Sequence, residues 1–435
     1  MGTVERTTVC VAGGGPAGMV LGLLLARAGV EVTVLEKHAD FLRDFRGDTV
    51  HPTTLDLLDE LGLGERFAAL PQSRLDRIGF PVGEHGETLV VGDLRRLEGR
   101  VGHPYIAMVP QWDLLDLLAD AGAAEPTFTL RMSTEVTGLR RDADGAVTGV
   151  TWRTADGAAG ELAADLVVAC DGRGSTARAE AGLEVVDFPC PMDAWWFRLP
   201  RRADEDAPAL TPRIGEGRMA VVIPREGYFQ VAYMTRKGEE AALRARGIEA
   251  FRADVAAIAP DLADRVDALE SMDDVRFLSV RLDRLRRWHV PGLLCLGDAA
   301  HAMSPIGGVG INLAVQDAVA AATLLAEPLR DGTLTAADLD RVRRRRLWPT
   351  VAVQALQRVM HRGIVRPVLA GDAAKRSSTR GKGRRGGPPA PIRRLMAAFP
   401  PATIIPAYLI GVGLRPERAP AFARRAPEPV TADRG

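Results

Sequence analysis

The chain has 435 residues, 56 of them basic and 56 acidic, so its formal net charge is zero; 46% of it is hydrophobic. That length holds material for about two to three domains with a large core, and the composition excludes wholesale disorder. Neutrality removes any global electrostatic case for a nucleic-acid binder, and neither a signal peptide nor an apolar run of membrane-spanning length stands in the sequence. Cys10, Cys170, Cys190 and Cys295 make no CxxC pair and no metal-ligand spacing. Reduced thiols in a cytoplasmic protein are therefore expected, with no metal site and no integral membrane segment.

In chain order, the apolar run Val9–Ala12 leads into Gly13-Gly14-Gly15-Pro16-Ala17-Gly18, a helical stretch over Met19–Ala28, and a second apolar run, Val32–Leu35, that ends at Glu36. Strand, glycine turn, helix, strand and acid make one βαβ unit. Alternation over Asp76–Leu94 around Gly83–Gly86 predicts a hairpin, and Val109–Ala121 predicts a helix. Thr127–Arg153 predicts an antiparallel excursion turning at Asp144-Gly145. The apolar strand Leu166–Cys170 stops at Asp171-Gly172. Residues 186–280 carry alternating patterns, notably Trp195-Trp196-Phe197, Met219–Ile223 and Tyr228–Val231, interrupted by a helical segment near 238–259. Gly292–Leu296 then runs into Gly297-Asp298. Long helices are predicted over 310–329 and 336–362, the second bent at Pro349. Residues 375–390 and the tail after Pro416 read as mobile loops.

The chemistry concentrates at strand ends. Gly13-x-Gly15-x-x-Gly18 directly follows a strand and opens a helix, where glycines permit a tight turn, close backbone approach to a diphosphate and close helix–strand packing. The helix N-terminus adds free N–H groups and partial positive charge. Glu36 lies 18 residues past Gly18 at the end of the second strand, where a carboxylate can accept from ribose hydroxyls. Asp298 likewise stands at a strand end, and the glycines at 307, 308 and 310 let backbone N–H groups approach a flat ring.

Two later stretches carry a resemblance. Cys170-Asp171-Gly172-Arg173-Gly174-Ser175-Thr176-Ala177-Arg178 resembles the DG motif of flavoprotein aromatic hydroxylases. Gly297-Asp298 through Gly310-Ile311-Asn312 resembles their GD motif and isoalloxazine-binding loop. With the N-terminal fingerprint, three motifs stand in family order, and the chain resembles the single-component, para-hydroxybenzoate hydroxylase-like FAD monooxygenases over roughly residues 5–415.

The resemblance implies an α/β fold: a Rossmann-like FAD-binding domain of the glutathione-reductase type, an inserted antiparallel β-sheet substrate domain, and C-terminal helices. The expected division gives 5–75, 101–185 and 281–372 to FAD, 76–100 and 186–280 to substrate, 373–390 to a disordered basic loop, and 391–435 to a C-terminal helix and tail. It implies non-covalent FAD on Gly13, Gly15, Pro16, Ala17, Gly18, Glu36, Lys37, Arg46, Gln111, Asp171, Arg178, Asp298, Pro305, Gly308, Val309, Gly310, Ile311 and Asn312. It also implies NADPH or NADH as a transient donor, O2, and transfer of one oxygen atom to an aromatic or polyketide-like molecule through a flavin C4a-hydroperoxide. A reductase or saturase of the same fold is the alternative; the Trp195–Pro200 segment departs from the halogenase WxWxIP pattern. A non-catalytic basic protein keeping FAD for stability is a third reading. Substrate-lining candidates are Trp196, Arg198, Tyr228, Phe229 and Ile306, and His51 is the one candidate for a catalytic base. A monomer or homodimer with no nucleic-acid partner is expected.

Residues 341–394 hold 16 Lys and Arg against one acid, Asp372. No recognition motif or aromatic interleaving accompanies them, so pairing with the acidic remainder is the expectation.

Overall fold

Four strands with parallel neighbours bring their carboxyl ends to one edge. They are β1 (Glu5–Ala12), β2 (Val32–Leu35), β4 (Ala159–Ala169) and β10 (Leu293–Cys295). The strand β3 (Phe128–Arg131) extends the sheet in parallel beside β2, and His289–Val290 closes the other side antiparallel to β10. A hairpin of Thr134–Arg141 and Val147–Thr154 adds antiparallel to β4. The predicted excursion over 127–153 is thus two things: a parallel sheet strand, then a hairpin. In this computed structural model the described residues are 5–42, 49–82, 87–205, 210–215, 217–371 and 400–427.

β2 and the carboxyl halves of β1 (Val9–Ala12) and β4 (Leu166–Ala169) are buried and almost wholly apolar because helices cover both faces of such a sheet. The helix α1 (Pro16–Arg27) packs between β1 and α4 (Gly310–Arg330), and α2 (Gln111–Ala123) lies beside α1. Pro16 at the first turn of α1 costs no hydrogen bond, since that N–H has no intrahelical partner.

A separate five-stranded antiparallel sheet has the order β6 (Thr211–Gly215), β7 (Arg218–Pro224), β8 (Tyr228–Arg236), β5 (Met192–Pro200) and β9 (Arg276–Leu278). One face packs on α3 (Gly247–Ile258), where the Phe251 ring lies 5.4 Å from Phe197 and 5.5 Å from Tyr233, both edge-on. The hairpin Arg77–Val82 with Glu87–Asp93 pairs as its alternation predicts.

After α4 comes α5 (Ala336–Met360), a continuous helix that includes Pro349 and passes into a π-helical turn over His361–Val365. The helix α6 (Ile404–Gly411) packs against Leu94–Leu97 and the second hairpin strand. The chain beyond Pro416 is a correction to the sequence reading. Glu417 and Ala423 are buried, Arg27 donates to Ala423 O at 2.9 Å, and the Arg425 N–H donates to Glu60 O at 3.1 Å. Its prolines and arginines read as solvated, but long-range ion pairs fasten it. The 375–390 loop lies outside the described residues.

Candidate functional site

A cleft of about 1160 Å³ runs from the carboxyl edge of the parallel sheet to the free face of the antiparallel one. At the sheet edge, Gly13 turns the chain with φ +102°, and a Cβ there would stand 2.5 Å from Cys170 O. Gly18 approaches so closely that its Cβ would meet Gly13 O at 2.0 Å, which lets α1 begin directly at the strand end. Beside Gly15 there is open space: nothing stands within 4 Å of its Cβ position. Neither α1 nor α4 has a side-chain cap at its N-terminus. Their first N–H groups therefore remain available to an acceptor from outside the helix.

Glu36 is 2% exposed and lines this end, its carboxylate aimed by the Gly14 N–H (2.8 Å) and the His38 N–H (3.0 Å). Asp171 accepts from the Ala177 N–H at 3.2 Å, while its Oδ1 is buried with no hydrogen-bond partner among the described residues. Burial raises its carboxyl above the usual range, against bonds from Ser175 and the Ala177 N–H. An open diphosphate cradle, two uncapped helix starts, an oriented carboxylate and an unsatisfied one fit a dinucleotide cofactor.

Of the other cofactor candidates, Gly15, Pro16, Ala17, Lys37, Gln111, Asp298, Pro305, Gly308, Gly310 and Ile311 also line the cleft. Gly18, Arg178, Val309 and Asn312 do not. The Arg178 guanidinium is spent as a strut, donating to Arg173 O (2.7 Å) and Ala299 O (3.3 Å). Asn312 Oδ1 accepts from the Thr53 and Thr54 hydroxyls, each at 2.8 Å, which ties α4 to the chain after His51. Arg46 falls outside the described residues.

At the other end, Trp196 and Ile306 line the cleft. Arg198, Tyr228 and Phe229 do not, which corrects the sequence expectation. Arg198 lies over Tyr228 at 4.6 Å, and Phe229 belongs to the core against α3. His51 is also corrected. It is fully buried and outside the cleft lining, its Nδ1 2.8 Å from Ile410 O and its Nε2 2.9 Å from Gly308 O. It fastens the glycine loop to α6. Tyr233 faces α3, and burial pushes its phenol up to about 12, so it holds its proton.

The sequence reading missed Met219, Val221, Ala232, Met234 and Gln230, which share the Trp196 face by strand alternation and cross-strand pairing. It missed the roof as well, where Met360 and Ile364 come from the end of α5 and its π turn, and Leu409 and Ile410 from α6.

The loop between Asp298 and α4 is gripped from α5. Gln357, 2% exposed, donates through Nε2 to Ser304 O and Ile306 O, both at 2.9 Å, and accepts from the Ser304 N–H at 3.2 Å. His361 Nε2 lies 2.9 Å from Ser304 Oγ. Gln357→Leu is expected to strand two carbonyls and one N–H, at about 1–3 kcal/mol for each buried group left unpaired. Thermal unfolding should show a loss of several degrees, and unchanged stability would contradict the clamp.

Burial lowers His51 and His361 below the ordinary histidine value, against hydrogen bonding to the carbonyl oxygens of Ile410 and Gly308 in the first case. The unfolded chain then binds more protons, so their stability contribution is present above pH of about 6.5 and lost as pH falls toward the folded values. The thermal midpoint should drop from pH 6.5 toward 5, with a shallower slope in His361→Asn. A flat profile would overturn the assignment.

Behind the Gly297-Asp298 turn, Asp317 Oδ2 accepts from His301 Nε2 (2.6 Å) and the Gly297 N–H (3.2 Å). Arg346 Nε donates to Asp317 Oδ1 at 3.0 Å, and its NH1 reaches Glu417 at 3.3 Å. Four more arginines at the start of the basic run are paired too: Arg341 with Asp338, Arg343 and Arg344 with Asp340, and Arg345 with Glu417.

Residues 6–358 match the protein family described as FAD binding domain. The chain is 39% identical over 351 residues to the 6-methylpretetramide 4-monooxygenase of Streptomyces rimosus, covering 78% of this chain and 80% of that one. It is 33% identical to the 12-dehydrotetracycline 5-monooxygenase/anhydrotetracycline 6-monooxygenase of the same species, covering 72% of this chain and 61% of the relative. In fold it is similar to the p-nitrophenol 4-monooxygenase PnpA of Pseudomonas putida, with TM-score 0.69 at 21% identity, over 92% of this chain and 99% of that one.

Proposed function

The chain belongs to the FAD binding domain family of FAD-dependent monooxygenases, and from that premise we propose that it is an NAD(P)H-dependent enzyme placing one oxygen atom on an aromatic or polyketide-like molecule. The observation that carries the reading is the single cleft joining the dinucleotide-type strand edge to an apolar sheet face, with the 304–311 loop between them. Bound FAD would supply the redox chemistry, accepting electrons from the nicotinamide nucleotide and activating O2.

The chain's own residues do the rest. The 13–18 turn and the start of α1 bind diphosphate, Glu36 holds ribose, and Asp298 and Gln111 contact the remainder of the dinucleotide. Residues Pro305–Ile311 orient the ring, with the N-terminus of α4 favouring negative charge on it. Residues 5–75, 101–185 and 281–372 form this FAD-binding part, and 76–100 with 186–280 the substrate part. The apolar roof of Met360, Ile364, Leu409 and Ile410 excludes water from the reacting ring. Among the described residues that line the antiparallel sheet's end none is titratable, so these side chains supply no general base to the ring.

Support comes also from the relatives' names, which include monooxygenases of tetracycline-type aromatic compounds. The purified protein, mixed anaerobically with NADPH or NADH, is expected to lose its flavin colour, faster when an aromatic substrate is present. A flavin that neither nucleotide reduces, with any of a panel of phenols, quinones and aromatic polyketides, would sink the reading.

A further inference from the structure

The two ends of the cleft differ in charge. Glu36, Asp171, Arg173 and Asp298 stand at the dinucleotide end. At the other end no charged side chain lines the wall among the described residues. The floor there is built of three cross-strand rows, Met219–Met234, Val221–Ala232 and Ile223–Gln230. Rows two residues apart are about 6.8 Å apart, so this floor runs roughly 14 Å, about twice the van der Waals breadth of a single six-membered ring.

The floor is continuous from flavin loop to far wall. Ile306 packs with Met219 and Met234 at one end, Ile223 packs with Leu75 and Ile106 at the other, and Trp196 and Val221 belong to both clusters. Gln230 is the polar group of the far row. Its Oε1 accepts from Arg225 Nε (3.1 Å) and NH2 (2.9 Å), and Arg225 itself does not line the cleft. Methionines 219, 234 and 360 give the wall an adaptable, polarisable surface suited to ring edges.

We propose that this end takes an uncharged, elongated, fused-ring aromatic molecule, and selects against a single-ring phenol bearing a carboxylate. The inference rests on the reading above that the flavin ring lies at 304–311. A carboxylate placed on this floor would lose its water and meet no cation on the wall. A single ring would leave the Ile223–Gln230 half unfilled, forfeiting the contacts that a longer molecule makes.

The test is binding to the FAD-loaded protein, followed by perturbation of the flavin absorbance. The probes are a neutral dihydroxyanthraquinone, its carboxylated analogue, para-hydroxybenzoate, and catechol as a neutral single ring. The neutral tricycle is expected to bind at least about tenfold tighter than either carboxylated probe, a gap of roughly 1.4 kcal/mol. Ile223→Trp, which fills the far row, should weaken the tricycle by at least about tenfold, again roughly 1.4 kcal/mol, with little change for catechol. Equal or tighter binding of a carboxylated probe, or no binding of the tricycle, would overturn the proposal. Binding is read without turnover. A neutral tricycle that binds and is not oxygenated would therefore sink the reaction and leave the substrate class standing. Oxygenation confined to para-hydroxybenzoate would do the reverse.

Discussion

Asp317→Asn is expected to destabilise the protein by about 3–5 kcal/mol, because it removes one partner of a buried ion pair and leaves the other's charge uncompensated. Asp317 is fully buried and Arg346 is 1% exposed, so water cannot replace the lost carboxylate. Glu417 stays 3.3 Å from Arg346 NH1, which places the effect toward the lower end of that range. Burial alone would raise the Asp317 carboxyl, but His301 and Arg346 hold it below the usual range. A depressed carboxylate contributes stability that is present above its unfolded value of about 3.9 and lost as pH falls through the folded one. The variant should therefore unfold at lower temperature at neutral pH and lose part of the wild type's acid dependence. It should also hold flavin less tightly, since Asp317 accepts from the Gly297 N–H and so fixes the turn that presents Asp298. Wild-type stability in the variant would show that the network is ornamental.

Gly13→Ala is expected to abolish practical flavin retention. The residue sits at φ +102°, and a Cβ would meet the Cys170 carbonyl at 2.5 Å and its carbon at 2.8 Å, both rigid backbone. Strained backbone of this kind costs on the order of 1–3 kcal/mol. Taken from binding, that is roughly 5–150-fold in FAD affinity at about 1.4 kcal/mol per decade. Dialysis of the purified variant followed by flavin fluorescence reads it directly. Gly15→Ala, with open space at its Cβ position, should change the free protein little and act only through the approach of the diphosphate.

The dinucleotide end was legible because its determinants are local. Gly13 to Gly18 and Glu36 lie within one βαβ unit, and the Asp171 and Asp298 segments each carry their own strand end. The substrate end was legible only in part. Alternation separates Trp195 and Phe197 from Trp196 and Arg198, yet which face meets α3 is decided by residues such as Phe251, far along the chain. Tyr228 and Phe229 were attractive as aromatics, but the wall is made of methionines and small aliphatics that look like ordinary core. The roof assembles Ile364 and Leu409 from distant stretches that carry no motif. His51 sat suggestively before Pro52, and its burial between two carbonyls, a tertiary fact, makes it a fastener instead of a base. Net neutrality concealed the local pairing of Arg341 and Arg343–Arg346, whose partners include Glu417 in a tail that reads as loose.

One measurement bears most directly on the assignment. FAD-loaded protein is incubated with NADPH, isotopically labelled O2 and a neutral fused-ring phenol, and the product is weighed by mass spectrometry. One labelled oxygen atom in each product molecule, with no label when labelled water replaces labelled O2, is the predicted result. Product that is reduced without oxygen, or label that comes from water, would contradict monooxygenation.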